Sequence, residues 1–343
     1  MRTLASVVSG TSARAAGRTH KGALAVALAL AAMAVAGDAL AQPADYPTRL
    51  VTIVAPSAPG GLYSLFARIL GSRLEQRFGR TFVVENRPGA ASVIGAQLVA
   101  RAAPDGYTLM TASGATLAVN VTLHRRLPYD PVADFVPIAL IARVPEVLVV
   151  NPGLPVHSLA DLGVLAKTQP LTFASAGPGT AQHLEGEMLR QALKLDMTHV
   201  PYKGALPALN DVIGGHVTMM FSPVANALSM IQAGKVRALG VAASSRIEAL
   251  PDVPPLAEIG APGFEAGGWF MLVAPAATPR AIVARLAEAS RAILAEPELK
   301  AQFVRQGLIP LDTPSPDELT VYVREQIAYW NRTLRRIGLA GME

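Results

Sequence analysis

Leu50-Val51-Thr52-Ile53-Val54-Ala55-Pro56-Ser57-Ala58-Pro59-Gly60-Gly61-Leu62-Tyr63-Ser64 sets the plan of this chain. Residues 50–54 are a short apolar run rich in β-branched side chains, ended by Pro56. A helical pattern follows over 64–78, with Leu65, Ile69 and Leu74 apolar and Arg68, Arg73 and Glu75 polar. Gly79 then supplies the residue that helix C-termini prefer. Phe82-Val83-Val84 reads as the next strand, closed by Asn86-Arg87-Pro88-Gly89. A helix over 94–102 and a strand over 107–110 complete a β-α-β-α-β order, which predicts a parallel sheet covered by helices.

Two apolar runs, 138–142 and 147–150, lie on either side of Pro145. After Ser158 the alternation restarts. A helix over 159–167 leads to a strand over 171–174 and a helix from Thr180. Next come a helix over 206–213, a strand over 216–221, a helix from 225 and a strand over 236–241. The Pro-rich stretch 251–262 reads as a connection between domains, and 269–273 as a strand. The end is helical, over 279–295, 298–306 and 316–337, with Pro279 and Pro316 suited to first helical turns. The pattern gives two α/β lobes of about 100 residues or more. The first covers 42–146 and the second 147–261; the closing stretch 262–343 could complete either lobe and is assigned to the first. A chain that leaves one lobe, builds another and comes back makes a two-segment hinge, as a cleft-closing binding protein requires.

Residues 1–41 read as a secretory leader. Arg2, Arg14, Arg18 and Lys21 form a basic lead, an apolar run follows over 22–37, and Ala39-Leu40-Ala41 has the small-x-small form of a cleavage site. The alternative, an uncleaved anchor, needs about 20 apolar residues, more than this run offers. The mature chain then starts at Gln42, and its expected location is the bacterial periplasm. The formal charge of +5 belongs largely to the leader: four basic residues and Asp38 fall within it, leaving 26 basic against 24 acidic residues. Lys/Arg clusters interleaved with aromatics are missing, so nucleic acid is not expected as a partner. The chain has no cysteine. That excludes disulfides, thiolate zinc sites and thiol catalysis, and leaves core burial to stabilise an exported protein.

Several loops after strands could hold an anion, because ligands of open α/β sheets gather at the carboxyl ends of strands. Pro59, Gly60, Gly61, Tyr63 and Ser64 lie between the first strand and its helix, where free helix N–H groups attract anions. The plain alternative is a tight turn with Ser64 as the helix cap. Ser175-Ala176-Gly177-Pro178-Gly179-Thr180 stands before a second helix, with His183 one turn in. Hydroxyls, glycines and a helix start make it a carboxylate cradle, with only half of a dinucleotide fingerprint because Gln182 takes the third glycine position. For His183 the stronger reading is a structural hydrogen bonder. Ser113 and Gly114 follow the strand over 107–110; Tyr202 and Ser222 follow strands of the second lobe. Catalytic patterns fail: neither Ser113 nor Ser175 stands in G-x-S-x-G, and His183-Leu184-Glu185-Gly186-Glu187 has the wrong order for a zinc helix. The histidines are scattered without metal-ligand spacing. No cofactor, metal or catalytic residue is expected.

The chain resembles the periplasmic solute receptors of tripartite tricarboxylate transporters, the Bug receptors. The resemblance rests on Tyr46-Pro47, Ala58-Pro59-Gly60-Gly61, Val84-Glu85-Asn86-Arg87-Pro88-Gly89-Ala90 and Ala103-Pro104-Asp105-Gly106-Tyr107-Thr108-Leu109. It continues through Leu127-Pro128-Tyr129-Asp130-Pro131, Asp134-Phe135, Val149-Val150-Asn151-Pro152, Ser175-Ala176-Gly177 with Gly179-Thr180 and His183-Leu184, Val200-Pro201-Tyr202-Lys203-Gly204, Ala249-Leu250-Pro251-Asp252-Val253-Pro254 and Trp269-Phe270. It implies a type II periplasmic-binding-protein fold, two α/β lobes joined by a two-segment hinge, with a small carboxylate held between them. Carried over, main-chain groups and hydroxyls of Gly60, Gly61, Ser175, Gly177, Gly179 and Thr180 would hold the carboxylate. It also implies delivery to the membrane permease subunits of a tripartite transporter; a monomer is the default expectation for a diffusing receptor.

Three departures from the family pattern stand out. Leu62-Tyr63-Ser64 replaces Gly-Thr-Asp, Ala91-Ser92-Val93 replaces Gly-Gly-Asn, and Ser222 stands where an Asp pairs with ligand ammonium groups. The last argues against a zwitterionic ligand, and Tyr63 with Leu62 adds apolar or stacking area for a bulky or aromatic carboxylate. The rival readings are a sensor that presents ligand to a membrane kinase and a secreted serine hydrolase built on Ser175 or Ser113 with His183.

Overall fold

The strand β1 (Val51–Ala55) forms where the β-branched run predicts it, and its register places the rest of the first sheet. β2 (Phe82–Asn86) and β3 (Thr108–Ser113) pair with it in parallel, Val51 opposite Phe82 and Ile53 opposite Leu109. The intervening helices α1 (Leu62–Phe78) and α2 (Val93–Ala100) make the crossovers. The computed structural model describes residues 46–262, 264 and 266–342, so the expected leader lies outside the described residues.

β4 (Phe135–Val144) ends the first passage through this sheet. The chain crosses at Pro145 straight into β5 (Glu146–Val150) of a second sheet. β6 (Leu171–Ser175), β7 (Met197–Pro201), β8 (Met219–Pro223) and β9 (Arg237–Val241) complete that sheet in the order β7-β6-β8-β5-β9. After β9 the chain returns through β10 (Gly268–Pro275) and the short β11 (Ile309–Pro310), giving β11-β4-β10-β3-β1-β2. Each sheet has three parallel strands, β2-β1-β3 and β7-β6-β8, followed by one antiparallel strand that enters from the other sheet: β10 beside β3, β5 beside β8. The remaining helices are α3 (Asn120–Leu123), α4 (Leu159–Leu165), α5 (Ala181–Ala192), α6 (Ala205–Ile213), α7 (Val224–Gln232), α8 (Arg280–Leu294), α9 (Pro297–Arg305) and α10 (Pro316–Arg336).

From Pro47 onward the chain is one compact unit. A single buried cluster includes Val54 and Met110 of the first sheet together with Leu148 and Phe221 of the second. Aliphatic burial supplies most of the driving force in a chain with 5% aromatic residues. Phe66, Phe173, Phe221 and Phe303 are among the aromatic side chains sealed inside.

The sequence reading needs correction at several boundaries. α1 starts at Leu62 rather than 64, because extended Gly61 is its N-cap; Ser64 sits inside the first turn and is not the cap. β3 runs on to Ser113 because Thr111, Ala112 and Ser113 pair with β10, so they are strand rather than loop. Ser222 and Pro223 likewise belong to β8 and face β5. β8 begins at Met219 rather than 216, since the tight Gly214-Gly215 turn carries the His216 N–H back to the Asp211 carbonyl. Pro279 is an N-cap, not a first-turn residue. Pro316 does occupy its first turn, under a reciprocal Ser315–Glu318 capping box.

Between β2 and α2, Ala90, Ala91 and Ser92 all have positive φ (44°, 47° and 80°). Left-handed backbone costs an L-residue about 1–2 kcal/mol. Tertiary bonds hold the segment: Asn120 Nδ2 donates to the Ala91 carbonyl (3.3 Å), and the Ser92 and Thr116 hydroxyls bond at 2.8 Å. Ala91→Gly removes one strained centre and adds chain entropy worth about 0.5–1 kcal/mol. Urea unfolding should therefore show a net stabilisation of roughly 0.5–1 kcal/mol.

Candidate functional site

The first wall is built at the carboxyl ends of β1 and β3. Tyr63, in the first turn of α1, places its hydroxyl 2.5 Å from Ser113 Oγ and 3.3 Å from Thr116 Oγ1. Ser92 joins Thr116, so four hydroxyls from four segments form one cluster. The Tyr63 ring stands edge-on to Phe270, 4.9 Å between centroids, which fixes its aim. Ser64 is buried and accepts a hydrogen bond from Asn86 Nδ2, which also donates to the Ser57 carbonyl at 3.0 Å. That amide ties the loop to the end of β2. Pro59, Gly60 and Gly61 are exposed at the loop tip, and no side chain caps α1. Gly114 is buried against Trp269, where a Cβ would stand 2.9 Å from the indole nitrogen. A π-helical turn (Ala115–Val119) then re-aims the chain so that Thr116 faces Ser113.

The second wall is the loop from Ser175 to His183. Ser175 is fully buried; its hydroxyl accepts the Gly177 N–H and donates to the Gly177 carbonyl, both at 3.1 Å. The Thr180 hydroxyl donates to the same carbonyl at 2.7 Å. His183 Nδ1 accepts the Gly179 N–H at 3.1 Å, so that amide is committed inside the loop. Thr180 is the N-cap of α5, yet no side chain caps the helix. The first N–H groups of a helix have no intrahelical partners, so this end offers donors and positive potential to an anion. Ala176 is half-buried on the same loop, and the Tyr202 N–H donates to the Ser175 carbonyl at 3.0 Å. The Tyr202 hydroxyl donates to Asp211 at 2.5 Å. Ser222 lies apart: it is fully buried, and its hydroxyl reaches only the Pro223 carbonyl, at 3.4 Å.

The two walls touch. A Cβ at Gly179 would lie 2.2 Å from the Leu123 side chain of α3, and Gly179 has φ +72°. Gly307, after α9, packs in the same way against Val224 at the start of α7.

The polar layer beneath α5 carries little charge. Burial lowers His183, and burial together with His183 lowers His199 to about 4. The rings stack at 4.1 Å, and Phe173 lies 4.9 Å from His199. His199 Nε2 is 2.7 Å from Ser175 Oγ. The hydrolase reading paired Ser175 with His183; the structure pairs it with His199 instead. The Ser175 hydroxyl is engaged with both the N–H and the carbonyl of Gly177 as well as with the His199 ring. A value near 4 is also too low for general-base work at neutral pH. The geometry suits loop positioning rather than nucleophilic attack.

Sequence reasoning did not single out Ser92, Thr116, Asn86, Leu123 or His199 as site residues. Thr116 was visible in its small polar run. The alternation of β7 places His199 opposite Phe173, a cue that needed the pairing of β6 with β7. Among the described residues, no three His, Cys, Asp or Glu side chains gather in a metal-binding group, and no helix is long and apolar enough to cross a membrane.

His199 generates a prediction. Its folded value lies below the ordinary 6.5, so its contribution to stability is present above about pH 6.5 and is lost as pH falls toward 4. In urea titrations across that range, His199→Gln should lose stability less steeply than the native chain. Parallel slopes would mean that His199 is already protonated in the folded protein.

The profile described as "Tripartite tricarboxylate transporter family receptor" matches residues 66–339. BugT of Bordetella pertussis is 35% identical over 310 residues, covering 89% of this chain and 95% of that one. Among solved structures, R. palustris Rpa4515 with adipate is 35% identical at a TM-score of 0.82, covering 86% of this chain and 99% of that one. MatC from Rhodopseudomonas palustris with bound malate is 34% identical at a TM-score of 0.78, covering 84% and 100%. The periplasmic binding protein BugD is 34% identical at 0.79, covering 86% and 99%. These relatives are solute-binding proteins rather than enzymes, and the two-sheet α/β fold is theirs. The chain therefore belongs to the tripartite tricarboxylate transporter receptor family, the Bug-type solute-binding receptors.

Proposed function

We propose that this receptor captures a small organic carboxylate in the periplasm, closes its two lobes on it, and presents the closed form to the membrane subunits of a tripartite transporter. The observation that carries this reading is the uncapped N-terminus of α5, whose loop meets the first sheet's side of the molecule where Gly179 packs on Leu123. Backbone N–H groups aimed at a shared space favour an anion without needing a cationic side chain. The adipate and malate held by two solved relatives support the carboxylate class.

In this reading Gly60 and Gly61 supply backbone from the first wall, with Tyr63 and Ser113 as hydroxyl donors. Ser175, Ala176, Gly177, Gly179 and Thr180 shape the second, and His183 holds the loop through Gly179. Tyr63, edge-on to Phe270, gives an apolar side to the space and favours a ligand with a hydrocarbon body. Ser222, buried and uncharged, gives no counter-charge for an ammonium group, so amino acids are poor ligands. The moving bodies are 42–146 with 262–343, and 147–261. The leader over 1–41 is removed on export, and the receptor acts as a monomer.

A thermal-shift screen of mono-, di- and aromatic carboxylates tests the reading. A ligand at about 100 times its Kd should stabilise the fold by about 2.7 kcal/mol. No shift with any carboxylate, or a shift with amino acids alone, would reject it. Gly179→Ala should weaken the binding found in that screen by about tenfold or more, because the new methyl strains a left-handed position and pushes on Leu123. A double-mutant cycle with Leu123→Ala should be strongly non-additive.

A further inference from the structure

Glu146 and Glu185 are both fully buried in the second lobe, and three of their four carboxyl oxygens have no hydrogen-bond partner. The fourth, Glu146 Oε1, accepts from Gln182 Nε2 at 2.7 Å. Their position gives them meaning. Glu146 opens β5 directly after the Pro145 crossing and pairs with Pro223 at the end of β8, beside the strand that ends in Ser175. Gln182 and Glu185 lie one turn apart in the first turns of α5, the helix whose free end faces the anion site. At 1.5 Å per residue, Glu185 is about 7 Å below that end.

Unpaired carboxylates are rarely left charged in a protein interior; they keep their protons instead. Burial raises both groups well above the ordinary carboxyl range, and the charge of Glu146 raises Glu185 further. Among the described residues no cation pairs with either one. The groups packed around Glu146 are the Gln182 amide and Glu185 from α5, Pro223 from β8, and the Ala242 N–H after β9, which donates to the Glu146 carbonyl. Of the other titratable groups near α5, His183 and His199 are held neutral by burial, and Glu187, whose charge acts on His199, pairs with Arg190 at 2.8 Å.

We propose that Glu146 and Glu185 are a proton-holding pair that positions the free end of α5 and makes carboxylate capture proton-linked. The anion-linkage half rests on the receptor reading above; the proton-holding half does not. While both carboxyls are neutral, the helix end presents positive potential unopposed. Loss of their protons puts negative charge beneath the bound anion, and by reciprocity a bound carboxylate makes those protons harder to remove. At about 7 Å an ionised Glu185 is expected to weaken anion binding by roughly tenfold to fiftyfold.

The test has two arms on the full folded chain. Without ligand, infrared spectra at about pH 8 should show the carbonyl band of protonated carboxylic acids, since free carboxyls ionise near 4. That band should weaken in Glu185→Gln and vanish in Glu146→Gln/Glu185→Gln. Stability sharpens this arm. A raised carboxyl gives stability that is full below its unfolded value and falls as pH rises, about tenfold in the folding equilibrium per pH unit for each proton. The Gln variants should lack that fall. Absence of the band in the native chain, or an unchanged fall in the variants, overturns the pair; Glu185→Gln alone decides if the double variant does not fold. With adipate and malate as probes, calorimetry from neutral to alkaline pH should show affinity falling in the native chain and holding level in Glu146→Gln/Glu185→Gln. Parallel pH profiles overturn the linkage. If neither probe binds at any pH, the linkage falls together with the receptor reading, while the infrared band still decides whether the pair holds protons.

Discussion

The candidate anion site rests on the open N-terminus of α5, a trait it shares with most helices of the chain, since among the described helices only α4 and α10 carry a side-chain cap. Helix N-termini normally satisfy their first N–H groups with a Ser, Thr, Asp or Asn side chain. α5 has Thr180 in the capping position, yet that hydroxyl turns back to the Gly177 carbonyl. The loop's own needs are met internally, by Ser175, Thr180 and His183. Polar groups that might have closed the helix end are spent on holding the loop's shape, and the first N–H groups of α5 keep no side-chain partner.

Such an end is useful only if the surroundings do not cancel it. Burial does that work beneath α5, where two imidazoles and two carboxyls are each pushed toward their uncharged forms. The opposite wall is made of hydroxyls that satisfy one another and can turn to follow a ligand. Neither wall commits a full charge, so selectivity has to come from shape and from hydrogen-bond direction. That fits a family whose members hold different carboxylates on a shared frame.

Much of this was legible in the sequence. The β-α-β rhythm from Leu50 gave the parallel sheets, and the loops after β1 and β6 are the ones that now frame the site. What escaped were features set by pairing rather than by local pattern. Thr111–Ser113 read as a loop because three small polar residues look like one; only the antiparallel neighbour β10 makes them strand. Ser222 read as a loop residue for the same reason and lies in the lobe interior. His199 and Glu146 look unremarkable along the chain, since their partners are 24 and 36 residues away. Leu123 gained its role from a glycine in the other lobe, a contact that no periodicity encodes.

The two connections between the sheets are very unequal. One is the single residue Pro145, whose ring fixes φ and whose carbonyl accepts the Val224 N–H at 3.0 Å. The other runs from Ala242 to Gly267 through a Pro-rich stretch. The long link is anchored rather than slack: Leu256, Ala261 and Phe264 are buried, and its two ends meet where the Ala266 N–H donates to the Ala242 carbonyl at 3.3 Å. Both crossings therefore lie side by side at Pro145, where the Ala242 N–H donates to the Glu146 carbonyl at 2.8 Å, and a swing of one sheet on the other would disturb Glu146 least by turning about this point.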